Sequence, residues 1–245
     1  MKISIAQMKS IKGDISSNID KHKNLINLAI SLKADAIFFS ELSITGYEPT
    51  LSKELATDLN DERFDDFQQI SDKNTITIGI GMPTKSKSGV LISMIIFQPF
   101  KSRQIYSKQK LHVDELPHFT CGNQQLILTV KNTKIAPAIC YESTLPEHAE
   151  NVHKMGAEVY LASVAKSQNG VDKAITHFPH IACKYSMAVL MSNCVGYCDN
   201  FESVGNTSIW NDGGNLIGQL NAMDEGILIY DTDTKDIVQE YYKNL

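Results

Sequence analysis

The chain is poor in arginine, with Arg63 and Arg103 the only two in 245 residues, and its formal net charge is -5 at pH 7. Nucleic-acid binding rests on neutralising phosphates with a basic face, so this balance argues against it. The same scarcity leaves few sources for a bidentate guanidinium grip on a carboxylate, a task that falls instead to lysine or backbone N–H groups. No apolar run approaches the roughly 18 residues that crossing a bilayer takes. The opening MKISIAQMKS is too short and too interrupted for a secretory leader and reads as a first strand, so a cytoplasmic protein without membrane or nucleic-acid partners is expected. The five cysteines, Cys121, Cys140, Cys183, Cys194 and Cys198, are odd in number, which speaks against a disulfide framework. Cys194 and Cys198 lack a downstream pair that would complete a metal site and are expected to be packing thiols. Internal repeats, low-complexity runs and linkers rich in Pro, Gly or Ser are missing too, so residues 1–245 read as one domain.

What is present is an alternation of strand-like and helix-like segments, the pattern of an α/β layered fold. After a strand at 2–7, Ile19, Ile26, Ala29 and Ile30 recur along one face and predict a helix over 18–33. A strand at 35–39, a helix near 61–70 and apolar runs at 75–82 and 90–97 follow, the last two as a hairpin. A strand at 102–106 gives way to the aperiodic residues 107–124, a long loop of the kind that carries function. Residues 134–139 predict a strand, Ser143 or Thr144 the cap of a helix with Pro146 in its first turn, and Gly156 its end before a strand at 158–162. A helix over 171–185, a strand at 188–192 and a β-rich return near 207–210, 216–220 and 226–230 complete the reading.

Three of these strands end in chemistry. Glu41 sits two residues after DAIFF, Lys108 two residues after SRQIY and Cys140 directly after KIAPAI. Ligands gather at the carboxyl ends of strands in open α/β sheets, so residues far apart in the chain can converge there. Cys140 is placed on a strand-to-helix turn, where free N–H groups and the helix dipole favour a thiolate. Singly, each has an ordinary explanation: Glu41 as a loop charge, Lys108 as a solvated lysine, Cys140 as an inert packing thiol. His112, His118, His148, His177 and His180 offer a competing Cys-His arrangement, but none sits in a local thiol-protease motif.

Taken together, the segments FFSELSITGYEP around Glu41, YSKQKL around Lys108 and AICYESTLPE around Cys140 resemble, in order and spacing, the motifs of the nitrilase superfamily of carbon–nitrogen hydrolases. A second glutamate motif of that family resembles DELPHFTCG and falls on Glu115. The chain departs from the family pattern at Ser40, where proline is common, at Ala138, often glycine, and at Glu142, where aspartate is frequent. The resemblance implies a four-layer α-β-β-α sandwich of α/β class, a homodimer or higher homo-oligomer, and neither metal nor organic cofactor. It also implies cleavage of a small non-peptide amide or carbamoyl compound through a cysteine thioester, releasing acid and ammonia or amine. The roles it implies are Cys140 as nucleophile, Glu41 as base, Lys108 with the backbone N–H of Tyr141 at the oxyanion, and Glu115 positioning Lys108. Tyr47, Tyr141 and Ser163 are the expected substrate-binding residues, with Val164 and the Asn193 region as further pocket wall. Two alternatives stand beside this reading: a nitrilase acting on a small nitrile, and a catalytically silent interaction module of the same fold.

Overall fold

The structure, a computed structural model, describes residues 1–242; residues 243–245 of the expected 1–245 unit lie outside the described residues. The chain opens with β1 (Lys2–Gln7) and α1 (Ile15–Ser31), followed by β2 (Ala36–Phe38), α2 (Ser52–Leu55) and α3 (Asp65–Asn74). Next come the hairpin of β3 (Thr77–Ser86) and β4 (Gly89–Phe97), then β5 (Gln104–Ser107), β6 (Leu128–Val130), β7 (Thr133–Ile139) and α4 (Pro146–Lys154). The sequence continues with β8 (Val159–Val164), α5 (Gln168–Tyr185), β9 (Ala188–Asn193) and the small hairpin β10 (Val195–Cys198) and β11 (Phe201–Val204). It closes with β12 (Ser208–Trp210), β13 (Leu216–Gln219), β14 (Gly226–Asp231) and β15 (Ile237–Tyr241).

The strands form a seven-stranded sheet in the order β15-β14-β1-β2-β3-β4-β5 and a six-stranded sheet in the order β13-β12-β9-β8-β7-β6. An apolar layer between them joins Ile3, Ile5 and Phe38 of the first sheet to Ile135, Leu161 and Leu190 of the second. The outer face of the first sheet is covered by α1 and α3 through Leu25, Ile26, Ala29 and Phe67, that of the second by α4 and α5 through Val152, Phe178 and Ala182. These are the four layers of an α-β-β-α sandwich. Because the central strands are covered on both faces, they are continuous apolar runs without alternation.

Local chemistry moved several boundaries. Asp14 caps α1 by accepting from the Ser17 N–H at 3.0 Å, and Lys33, at φ 61°, has left the helical region, so the helix sits earlier than 18–33. A 3-10 turn at Glu62–Phe64 precedes α3 and delays it. Ser143 and Thr144 do not cap α4: their hydroxyls bond back to the carbonyls of Cys140 and Tyr141, and Leu145 occupies the cap position. Among the described residues no helix is long and apolar enough to cross a membrane.

Strand direction determines where the reactive ends meet. β2 is parallel to β1 and β3, and β5 returns to the same sense by two antiparallel steps through β4. In the other sheet β7, β8 and β9 are mutually parallel. The two sets of carboxyl ends are joined across the sandwich: Ser192 Oγ donates to the Ala6 carbonyl at 2.6 Å and Ser163 Oγ to the Phe39 carbonyl at 2.8 Å.

Candidate active site

Glu41 stands in a turn of residues 40–45 that follows β2 and presses against β3. The fit depends on Gly81, where a Cβ would lie 2.4 Å from both the Leu42 nitrogen and the Ser40 oxygen. Lys108 is the first residue past β5, with its own N–H held by the Ile92 carbonyl at 2.9 Å. Its side chain is 0% exposed, whereas Lys110, the other lysine of YSKQKL, is exposed. Glu115 ends a short 3-10 turn, Val113–Glu115, which gives the long loop its only regular element, and its Oε2 accepts from the His112 N–H at 2.7 Å.

These three side chains form one buried ion cluster. Lys108 Nζ lies 2.8 Å from Glu41 Oε1 and 2.6 Å from Glu115 Oε1, and the Tyr47 hydroxyl donates to Glu115 Oε1 at 3.0 Å. A buried charge persists only when paired and hydrogen-bonded, and here two carboxylates share one ammonium. The imbalance appears on Glu41, whose proton affinity is lifted from an ordinary 4.5 to about 7, first by burial and then by the charge of Glu115, against the pull of Lys108 and the Cys140 thiol. Lys108 moves the other way from a buried lysine left alone: burial lowers its affinity, but the negative charges around it raise it well above the usual value, so it stays an ammonium. Glu41 Oε2 is buried and has no hydrogen-bond partner among the described residues.

Cys140 opens a five-residue 3-10 turn, Cys140–Thr144, at the carboxyl end of β7, and it takes the left-handed φ of 47° that a residue other than glycine or asparagine seldom adopts. The turn is held by Glu142, a buried carboxylate that reaches back into both neighbouring segments. Its Oε1 accepts from the Ile139 N–H at 2.8 Å and the Tyr106 hydroxyl at 2.6 Å; its Oε2 accepts from the Gln109 N–H at 2.6 Å. One side chain thus locks the cysteine turn to the residues that follow Lys108. Its replacement by alanine would leave those buried donors without an acceptor and is expected to cost roughly 3–5 kcal/mol of stability and to lower kcat more than it raises KM. Thermal denaturation and steady-state kinetics check this, and an unchanged Tm would contradict it.

The helix end expected to favour a thiolate does not reach Cys140. The 3-10 turn separates Cys140 from the amino end of α4, and burial, then the charge of Glu41, push the thiol up from 9.0 to about 11 in spite of Lys166 and Lys108. The residue as a whole remains partly accessible, facing a cavity, and its sulfur lies 3.9 Å from the Ala165 carbonyl. Burial and the charge of Glu41 both hold the proton on the sulfur, while Lys108 draws Glu41 towards its carboxylate, so the resting arrangement favours a thiol beside a carboxylate.

The cavity measures about 530 Å³ and is lined by Tyr47, Glu115, Cys140, Tyr141, Ala165, Lys166 and Phe201, among others. Tyr47 and Tyr141 both line this cavity, and among the described residues the Tyr141 N–H bonds no backbone carbonyl outside its own turn. Ser163 does not reach the cavity: its side chain faces inward from β8, is buried, and spends its hydroxyl on the other sheet. Val164 and Asn193 are buried behind the wall as well, and the wall itself is formed by the next residues, 165–167. Of the histidines, His112 and His177 line the cavity, while His148 is held between the hydroxyls of Tyr106 at 3.0 Å and Tyr160 at 2.9 Å. Among the described residues no histidine hydrogen-bonds Cys140, and no cluster of three or more His, Cys, Asp or Glu side chains is placed to hold a metal ion.

Cys140 and Glu115 line one cavity, and Glu115 is tied through the Lys108 ammonium to Glu41, so the cavity brings near one another the residue types that attack on a carbonyl or nitrile carbon calls for. The carbon–nitrogen hydrolase family model matches residues 2–242, and the chain belongs to that family. A glutamine-dependent NAD(+) synthetase of Acinetobacter baylyi is 25% identical over 100% of this chain and 46% of its own length. The chain spans about half the length of that relative. A hydrolase in the agr operon of Staphylococcus aureus is 22% identical over 98% of this chain and 94% of that protein. Among solved structures, the NitN amidase of Nesterenkonia sp. AN1 superposes with a TM-score of 0.87 at 19% identity, covering 96% of this chain and 94% of the amidase. The fold is that of nitrilase-superfamily amidases.

Proposed function

We propose that this carbon–nitrogen hydrolase cleaves a small non-peptide amide or carbamoyl compound through a thioester on Cys140, releasing an acid and ammonia or an amine. The observation that carries the reading is the Lys108 ammonium held by Glu41 and Glu115 beneath the cavity into which Cys140 opens, with one oxygen of Glu41 left free. As the sulfur attacks the carbonyl carbon, Glu41 takes the thiol proton through Oε2 and the C–O double bond opens to an oxyanion. Lys108 and the Tyr141 N–H stabilise that oxygen. Glu41 then gives its proton to the departing nitrogen as the C–N bond breaks. Water, deprotonated by Glu41, splits the thioester and restores the thiol.

A base near neutrality suits both halves of this cycle, because it must accept from the thiol and donate to the amine. Glu115 positions Lys108 and, with Tyr47, keeps it charged. A solved structure of the Nesterenkonia amidase in complex with butyramide supports a short aliphatic amide as the first substrate class to try. Ammonia release across a panel of amides, nitriles and carbamoyl compounds, with Cys140→Ala as control, tests the reading.

The pH dependence follows from Glu41. Only its carboxylate can start the reaction, so kcat/KM is expected to fall about tenfold per pH unit below about 7 and to level above it. An acid limb in the ordinary carboxylate range near 4.5 would contradict that assignment. Stability runs the opposite way. A carboxyl that binds its proton more tightly when folded adds stability below its ordinary pKa of 4.5, and that contribution is lost as the pH rises through about 7.

A further inference from the structure

Two lysines that this mechanism does not use line the cavity, the exposed Lys173 and the buried Lys166. Lys166 stands two residues beyond β8, beside Ala165, whose carbonyl touches the Cys140 sulfur, and only 8% of it is exposed. Its backbone is clamped on both sides: the N–H donates to Asn193 Oδ1 at 2.9 Å, and the carbonyl accepts from Asn193 Nδ2 at 3.2 Å and Ser203 Oγ at 3.0 Å. The stem lies along the first turn of α5, where Gly170 leaves room for it, since a Cβ there would meet the lysine's own Cβ at 3.1 Å and Cγ at 3.2 Å. Among the described residues the ammonium has no hydrogen-bond or ion-pair partner, and it is open to the cavity that the residue lines.

The acceptors near it are already taken or distant. Glu115 is occupied by Lys108, Tyr47 and the His112 N–H, and Asp114 is an exposed rim residue 3.3 Å from His112. On the same side, Asn169 and Gly170 line the cavity from the first turn of an 18-residue helix whose N-cap, Ser167, makes no side-chain cap. The N–H groups of that turn and the positive end of the helix dipole therefore face the same space as Lys166. The residue is packed into the wall while its ammonium stays open to the cavity, so an anion entering there meets a cation that no carboxylate of the described residues already neutralises.

Building on the proposed amide hydrolysis, we infer that Lys166 and the amino end of α5 form an anion subsite, and that the substrate is a short amide carrying a carboxylate at its other end. Lys166 is the one of the two lysines held in the wall, Lys173 being exposed, and a fixed cation with backbone donors matches one negative charge; the closeness of Ala165 to the sulfur sets the carboxylate only a few bonds from the reacting carbonyl. The chain's two arginines, Arg63 and Arg103, do not line this cavity, so lysine and N–H groups take the role that guanidinium often plays.

The test compares matched pairs: succinamate with butyramide and glutaramate with pentanamide, each pair differing by a carboxylate in place of a methyl. Wild type is expected to favour the acid-amide of at least one pair in kcat/KM by about 10- to 100-fold, the worth of one charge-assisted hydrogen bond in a covered site. Lys166→Met is expected to collapse that ratio towards one, mainly through KM, and Gly170→Ala to lower it by crowding the stem. Calorimetric titration of succinamate and glutaramate into Cys140→Ala, with and without Lys166→Met, reads the subsite without turnover, and the second substitution is expected to weaken binding of the preferred acid-amide by a similar factor. Wild-type ratios near one in both pairs would overturn the subsite and leave the amidase reading standing. Equal loss on both members of each pair in Lys166→Met would place the lysine at the reacting carbonyl and also overturn it. Lys166-dependent binding without hydrolysis of any amide would uphold the subsite and remove the amidase reading.

Discussion

Cys140→Ala is expected to lower amide turnover by at least about 10⁴-fold, because no other group in the cavity can form the covalent intermediate. The structure argues that this loss is chemical and not a failure to fold. Cys140 is only partly buried, its sulfur makes one long contact with the Ala165 carbonyl, and the strained turn is held by Glu142 and Ser143 instead of by the thiol. Alanine accepts the same left-handed φ at the same cost, so Tm is expected to stay within a few degrees of wild type. Ammonia release measured beside a melting curve separates the two effects. Retention of more than a tenth of the activity would show that the nucleophile lies elsewhere.

Lys108→Met is expected to reduce kcat by roughly 10²- to 10³-fold through loss of an oxyanion donor. It also has a structural cost that Cys140→Ala lacks. Removing the ammonium leaves Glu41 and Glu115 facing each other without a counter-ion, at side-chain exposures of 0% and 1%. Breaking a buried pair in this way costs about 3–5 kcal/mol. Two buried carboxylates without a cation hold protons more tightly in the folded state, so the deficit is greatest at alkaline pH and shrinks as the pH falls and one of them is protonated. Melting curves at pH 5 and pH 8 check the sign. A deficit that is the same at both, or a variant that turns over like wild type, would contradict the cluster's electrostatics.

Much of the site could be read from sequence because its parts follow strand ends, and strand ends follow apolar runs. The segments DAIFF and KIAPAI predict β2 and β7, and Glu41 and Cys140 fall just beyond them. The resemblance then separated Lys108 from Lys110, which local pattern alone leaves equivalent; burial gives the physical reason. Lys166 carries the same signal, being just past β8, but the expected strand stopped at 162 because a strand buried on both faces gives no alternation to mark its end. Ser163 was assigned to the cavity for the same reason: with the end misplaced, the side chain that ties the sheets together looked like wall.

Glu142 was legible as a departure from the family's aspartate but not as the brace of the turn, since its partners come from residues 106, 109 and 139 and only folding unites them. The thiolate expectation assumed that α4 begins at the cysteine, which the intervening 3-10 turn prevents. β15 and the β10–β11 hairpin went unread because their sequences, IVQEY and the stretch from Val195 to Val204, mix exposed polar residues with few apolar ones. Edge and satellite strands owe their shape to the neighbour they pair with, not to a pattern of their own.

The most direct measurement is mass spectrometry of the protein quenched in acid during turnover of an amide it hydrolyses, followed by peptide mapping. A hydroxylamine-labile mass equal to the substrate's acyl group on the peptide containing Cys140 is the predicted result, absent from Cys140→Ala. Sustained ammonia release with that peptide unmodified, and at an equal rate in the alanine variant, would contradict it.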